Sequence, residues 1–308
     1  MIISASFRTD IPAFYGEWFM NRVSAGYCLV RNPYDGRFHR ISLERRHVDG
    51  FFFWTKNIGP FLPRLRVLDE QGYPFVVHHT ITGYPKELQP TVVGAERAVE
   101  HLRSVAADYG GRTAVWRYDP ILLTDMTDWD FHRANFARLA QALSGITDEV
   151  VVSYAEMYRK TERHLEQAAA RHGFHWFNPS AGEKREFLTE LSQIARTHEM
   201  HFSLCAQRQY LGPGINDACC IDVGRLADVS GIRLAEVKPG HRGRQCGCNQ
   251  SRDIGAYDTC AHGCVYCYAV NEPPEARRFQ RQHDPCSESL APVADADPVR
   301  SLQCEMHF

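Results

Sequence analysis

The chain has 308 residues, of which 44% are hydrophobic and 23% charged, with a formal net charge of −2. That is enough chain for a substantial core of α/β-barrel size, and the balance excludes a global basic field that would recruit nucleic acid. Eleven cysteines, no basic and apolar leader at the N-terminus, and no apolar run of membrane-spanning length predict a cytoplasmic protein whose thiols serve metal or redox chemistry rather than disulfides.

Taken in chain order, short runs rich in β-branched and aromatic residues predict six strands: Ile2–Ser6, Phe51–Thr55, Phe75–Thr80, Thr113–Tyr118, Glu149–Tyr154 and His201–Cys205. Their near-continuous apolarity suits parallel strands covered by helices. Between the first two, Tyr27–Arg31 and Phe38–Leu43 flank the turn-forming Asn32-Pro33-Tyr34-Asp35-Gly36 and read as a hairpin. Ala95–Tyr109 carries Ala98, Leu102, Val105 and Ala106 at helical spacing and stops at Gly110-Gly111. Asp130–Leu143 repeats the stripe with Phe131, Phe136, Leu139 and Leu143, and Glu183–Thr197 with Phe187, Leu191 and Ile194. Strands alternating with helices predict an α/β fold, a partial (βα)6 TIM-like barrel over residues 1–205. Residues 206–270 then form a cysteine-rich region packed on the barrel mouth. Residues 271–308, opening with Pro273-Pro274, form a wrapping or partly disordered tail.

Cys260, Cys264 and Cys267 carry the sharpest chemical signal. They spell C-x3-C-x2-C within Tyr257–Ala269, and three thiolates on so short a loop can hold three corners of one [4Fe–4S] cube. The fourth iron then lacks a protein ligand and can take the amino and carboxylate groups of a small molecule. The competing reading is structural zinc, with a fourth ligand from His262, Cys246 or Cys248. Gly263 permits the tight turn that three ligands on one centre require. Tyr266 can shield the centre, pack on an adenine edge, or simply fill apolar space.

This motif resembles the signature of the radical SAM superfamily, and Gly263–Ala269 is particularly similar to the spore-photoproduct-lyase-like branch. The whole chain looks like an uncharacterised bacterial family, a domain of unknown function with such a cluster at its C-terminus. The usual N-terminal position of the loop is not kept here; thiamine pyrimidine synthase offers a C-terminal precedent. The resemblance implies a radical SAM core barrel, a [4Fe–4S] cluster binding S-adenosylmethionine, reductive cleavage to a 5′-deoxyadenosyl radical, and an electron donor such as flavodoxin or ferredoxin. It also implies a partner for the cofactor carboxylate in Thr55-Lys56, since that branch has a Thr-Lys pair at a similar point. A solvated loop lysine is the plainer reading. The Gly-Gly-Glu of many radical SAM enzymes is absent.

Further cysteines gather late. Cys205, Cys220, Cys246 and Cys248 could hold an auxiliary [4Fe–4S] cluster, with Cys219 spare because adjacent side chains diverge. A zinc ligand pair, or small buried hydrophobes, would explain the same residues. Cys28, Cys286 and Cys304 are isolated. Polar residues cluster at predicted strand ends: Ser6, Arg8, Thr9 and Asp10; His78, His79, Thr80 and Thr82; Arg117, Tyr118 and Asp119; Ser153, Tyr154 and Glu156; Ser203 and Gln207. Together they predict a polar pocket, with Arg117 and Glu156 as candidate catalytic residues. The basic runs Arg277–His283 and Lys238–Arg244 could follow a phosphate backbone, though such runs are usually solvated surface. The expected function is that of a radical SAM enzyme of unknown substrate. The rivals are a non-catalytic zinc or iron–sulfur protein and a radical lyase acting on damaged nucleic acid.

Overall fold

The computed structural model describes residues 1–232, 234, 238–240 and 246–291. In chain order the first half contains β1 (Ile2–Ala5), α1 (Ile11–Phe14), α2 (Gly16–Ala25), β2 (Tyr27–Arg31), β3 (Phe38–Ser42), β4 (Gly50–Thr55), α3 (Leu62–Glu70), β5 (Phe75–Thr80), α4 (Ala95–Tyr109) and β6 (Ala114–Ile121). There follow β7 (Leu123–Thr124), α5 (Trp129–Leu143), β8 (Glu149–Tyr154), α6 (Arg159–His172), β9 (Trp176–Phe177), α7 (Ala181–Thr197) and β10 (His201–Leu204). The last part adds β11 (Asn216–Asp217), α8 (Val223–Ser230), β12 (Arg252–Asp253) and α9 (Pro273–Gln282).

Eight of these strands form one parallel sheet in the order β11-β10-β8-β6-β5-β4-β1-β12. The six predicted strands are neighbours in chain order, joined through helices. Right-handed crossovers between such neighbours put every crossover helix on the same face. Side-chain alternation divides the strands accordingly. Phe51, Phe53, Val77, Trp116, Val150 and Val152 pack with the helix residues Leu102, Phe136, Leu139 and Leu191 in the main core. Their neighbours Phe52, Val76, Val115 and Val151 face the other way, against Leu226 of α8 and the segment holding Ala218, Cys220, Ile221 and Cys248. Both faces are covered, which is why the runs read as continuously apolar.

The bounds of β5, β8 and α4 are those read from sequence, and β2 and β3 pair antiparallel as expected. The region after residue 205 does more than cover strand ends, because its β11 and β12 form the two edges of the sheet. Within the predicted tail, α9 forms and residues 284–291 return to the first helices. Trp18 Nε1 donates to the Ser287 carbonyl at 2.8 Å, Asn21 Nδ2 to Pro285 at 3.0 Å, and the Leu29 amide to Glu288 at 2.8 Å. The rest of that tail, with Cys304, lies outside the described residues, as do Arg242 and Arg244. No described helix is long and apolar enough to cross a membrane.

Candidate metal centre

The C-x3-C-x2-C loop leaves β12 and is clasped at its base. The Asp258 amide donates to Ala269 at 2.9 Å, and Asn271 donates to the Asp258 carboxylate from both its amide and its side chain. Asp258 and Gly263 both have positive φ, of 62° and 72°. At Gly263 a Cβ would lie 2.7 Å from Nη1 of Arg277, so the turn is left-handed and also covered from outside by α9. Inside the loop the Cys267 amide donates to Cys264 at 3.1 Å. The segment before α4 holds its tip, through Val265 to Leu88 at 3.1 Å and Thr91 Oγ1 to the His262 carbonyl at 3.0 Å. Tyr15 and Tyr268 add bonds of 2.6 Å each, Tyr15 to Thr259 and Tyr268 to Phe7.

The loop therefore sits over the C-terminal ends of β1, β4 and β5. Asp10, just beyond β1, is the hub. Its Oδ2 accepts from the Lys56 amide at 2.7 Å and pairs with His262 Nε2 at 2.8 Å, while Oδ1 caps α1 through Ala13 at 3.0 Å. Lys56 follows β4, whose last residue, Thr55, accepts from the Asn57 amide through Oγ1 at 2.9 Å. Its ammonium donates to the Tyr266 hydroxyl at 3.2 Å and lies 5.5 Å from that ring. Gln89 also donates to Tyr266. Thus Lys56, of the Thr55-Lys56 pair, and Tyr266, singled out separately in the sequence, meet at the cysteine loop. The Asp10–His262 pair was not anticipated. Engaging His262 through Nε2, it occupies one nitrogen of the residue considered as a fourth zinc ligand.

Burial sets the chemistry of the thiols. Desolvation, then the neighbouring Cys267, Asp10 and Cys264, push the Cys260 thiol well above its ordinary range. Burial likewise pushes Cys264 up to about 11 and raises Cys267, with Lys56 pulling both the other way. Lys56 is therefore within electrostatic reach of Cys264 and Cys267, and Cys260 within reach of those two thiols. Thr9 Oγ1 and His262 Nδ1, on the adjoining segments, are buried without a hydrogen-bond partner. Sulfur donors kept protonated by burial, beside orphaned polar atoms, suit a cationic centre that replaces the thiol protons.

The second set converges elsewhere, on the sheet face covered by α8. Cys205, after β10, donates to or accepts from Cys220 at an Sγ–Sγ distance of 3.6 Å. Arg117 is there too: Nη1 lies 3.1 Å from Cys220 Sγ, and Nε and Nη2 hold Asp119 Oδ2 at 3.0 and 2.5 Å. Ser153 donates to the other oxygen of Asp119. Arg117 is thus a buried neighbour of the second cysteine group and not of the C-x3-C-x2-C loop. Glu156 is exposed and accepts from Gln207 Nε2 at 2.8 Å. Arg8 pairs with Asp253 of β12 at 2.9 Å, both being buried.

None of the ten described cysteines is in a disulfide. Among the described residues no group of three or more His, Cys, Asp or Glu side chains gathers round one metal-ion position. A cleft of about 230 Å³ is lined by Thr80, Thr82, Gln89 and Arg138, and so adjoins Tyr266 through Gln89. A groove of about 360 Å³, lined by residues from Asp128 to Arg133 and from Glu183 to Glu190, is acidic and lined by no cysteine. Of the basic run on α9, Arg277 covers the loop, while Arg278 is exposed and faces Glu275 at 3.9 Å.

Residues 2–269 match the family described as Domain of unknown function (DUF1848). The chain belongs to that family. The match takes in both cysteine groups and ends at Ala269, the partner of Asp258 in the loop clasp. No curated protein matches. Among solved structures, a crystal structure of D-hydantoinase is similar at 12% identity with a TM-score of 0.31; the alignment covers 74% of this chain and 44% of that one.

Proposed function

We propose that this DUF1848 protein is a radical SAM enzyme, with its parallel sheet curved as a partial (βα)6 barrel and Cys260, Cys264 and Cys267 as cluster ligands. When bound, a [4Fe–4S] cluster with one open iron supplies the electron that cleaves S-adenosylmethionine to a 5′-deoxyadenosyl radical, which takes a hydrogen atom from the substrate. The observation that carries the reading is the placement of the Lys56 ammonium against Tyr266, the residue just before Cys267 in the loop. A carboxylate drawn to Lys56 is held next to the loop that the resemblance assigns to the cluster. Asp10 fixes the lysine backbone and the loop imidazole together, so the cation and the thiols keep one geometry. Tyr266, buried against Tyr84, excludes water from that side. A cytoplasmic location and a small one-electron donor protein belong to the same proposal.

Anaerobic purification and reconstitution tests it. The expected protein is brown, carries bound iron and sulfide, and when reduced gives an EPR signal that shifts on adding S-adenosylmethionine, with 5′-deoxyadenosine formed under reducing conditions. Stoichiometric zinc without sulfide in anaerobically prepared protein would overturn the proposal in favour of a non-catalytic metal-binding protein.

A further inference from the structure

We infer that Cys205 and Cys220 are a reactive dithiol, which a low-molecular-weight disulfide such as oxidised glutathione converts reversibly to an intrachain disulfide. One residue follows β10 and the other follows β11, and their Sγ atoms lie 3.6 Å apart in direct contact. A [4Fe–4S] cube holds its thiolates apart, one on each iron, so two sulfurs already touching suit a sulfur–sulfur bond better than two corners. A disulfide bond is about 2.05 Å long, which leaves about 1.5 Å for rotation of the two side chains to close.

The backbones on both sides of the contact are fixed. The Cys205 amide donates to the Val152 carbonyl at 2.8 Å, and the Ala218 amide to the Leu204 carbonyl at 3.0 Å. His78 Nε2 meets the Cys220 carbonyl at 2.8 Å, and the Asn249 amide donates to Ile221 at 2.9 Å. Two thiols held in place in this way meet without a search through loop conformations. The surroundings also select the pair. Cys219, although adjacent to Cys220, turns away and donates to the Ile221 carbonyl at 3.0 Å. Cys248 Sγ faces the Ile221 amide at 3.4 Å. Core packing among Ile2, Phe52 and Leu226 accounts for the burial of Cys220, but not for the guanidinium aimed at its sulfur. Arg117 Nη1 lies 3.1 Å from Cys220 Sγ, while Nε and Nη2 hold Asp119. A buried cation at that distance favours the thiolate, the form of sulfur that attacks a disulfide.

Exposure divides the labour. Cys205 is half-buried and Cys220 buried, so the external sulfur meets Cys205. Cys205 gives up its proton, attacks one sulfur of the small disulfide and releases one thiolate, which leaves a mixed disulfide on Cys205. The Cys220 thiolate then attacks Cys205 Sγ and breaks the bond to the second small thiol, which departs as a thiolate. Two electrons pass from the pair to the small disulfide, and the two protons of the pair end on the two small thiols. An excess of the reduced thiol runs the same steps backward. The bond formed would fasten the edge strand β11, which β10 holds through only two register positions, Ser203 with Asn216 and Leu204 with Asp217.

The test needs only the wild-type chain. Protein purified anaerobically under reducing conditions is equilibrated with mixtures of reduced and oxidised glutathione, quenched in acid, alkylated and digested without reduction. Trypsin cuts after Arg196, Arg208 and Arg225, so the two cysteines fall on separate peptides. At the oxidising end these peptides should be recovered joined and two hydrogens lighter than the free pair. Fragmentation should place the bond on Cys220 rather than Cys219, and dithiothreitol should return both thiols to alkylation. Cys205→Ser should lose the bridge, and Cys219→Ser should keep it. The inference falls if both wild-type thiols stay open to alkylation at the oxidising end or are protected by bound zinc. It falls equally if Cys205 stops at a stable glutathione adduct, or if either residue bonds to another cysteine instead. Because the bridge is read on two named peptides, the result is separate from iron content at the first site and from the fate of the radical SAM reading.

Discussion

The two cysteine groups differ in how they are built and in what surrounds them. Cys260, Cys264 and Cys267 occupy one clasped loop, and around them stand a carboxylate, an imidazole, an ammonium and a phenol. Cys205, Cys220, Cys246 and Cys248 are collected from three segments against an apolar sheet face. Arg117, the cation against Cys220, is already engaged by Asp119. Orphaned polar atoms stand beside both, Thr9 Oγ1 and His262 Nδ1 by the first and His78 Nδ1 by the second, but the first adds a lysine for a polar molecule to meet. The second turns its donors on its own sulfurs. A local motif thus presents mixed polar chemistry around its thiols, while a group assembled by topology packs against the sheet. Between them Asp119 lies close enough to influence both Cys205 and Tyr266.

Exchanging damage between the groups is the strongest way to break this comparison. Cys264→Ala should abolish the EPR response to S-adenosylmethionine completely, whereas Cys220→Ser should leave it intact; loss in both variants would make the groups one site. Next in size is affinity. Lys56→Ala removes a charge-assisted contact worth about 1.5–3 kcal/mol, so the Kd for S-adenosylmethionine measured by equilibrium dialysis should rise about ten- to a hundredfold. Arg117→Met should not change that Kd, and an equal loss in the two variants would place Arg117 in the cofactor site after all.

The smallest effect belongs to neither group and sharpens the contrast by serving as a control. His132 is buried between the Tyr118 hydroxyl and the Leu122 carbonyl, at 2.8 and 3.0 Å, and burial lowers its pKa to about 4. The unfolded chain takes that proton first, near its ordinary value of about 6.5. Stability is therefore whole above about pH 6.5 and falls on the order of 1 kcal/mol per pH unit as the pH drops towards the folded value. Urea midpoints across that window should fall less steeply for His132→Gln, with iron content unchanged; an identical slope would assign acid sensitivity to other groups.

Much of this was readable in advance where local spacing carries it. Phe75–Thr80 and Glu149–Tyr154 are continuous apolar runs long enough to bury both faces, and the helix from Ala95 ends at Gly110 because its amide closes the last turn on Ala106. The two-residue edges β11 and β12 are too short to show a period. Asp10 and His262 are 252 residues apart, so nothing local announces their pairing. Arg117 was legible only in part. On β6, Trp116 and Tyr118 pack in the helix-side core, while Val115 faces the second cysteine group. The pleat sends Arg117 with Val115. Strand-end position alone could not tell which cysteines it would meet.

The seating of β12 against β1 also sets an order of events during synthesis. β1 emerges from the ribosome with β4 to follow on one side, but its other edge stays open until Ser4 can pair with Asp253. That aspartate accepts from Ser4, Ser6, Phe7 and Arg8, so the start of the chain is fastened by a residue made near its end. The thiols that follow it arrive later still. On the proposed function, loading of metal is accordingly a latch thrown on a nearly finished sheet rather than a nucleus for folding, and a nascent chain must shield an uncovered apolar edge until β12 is seated.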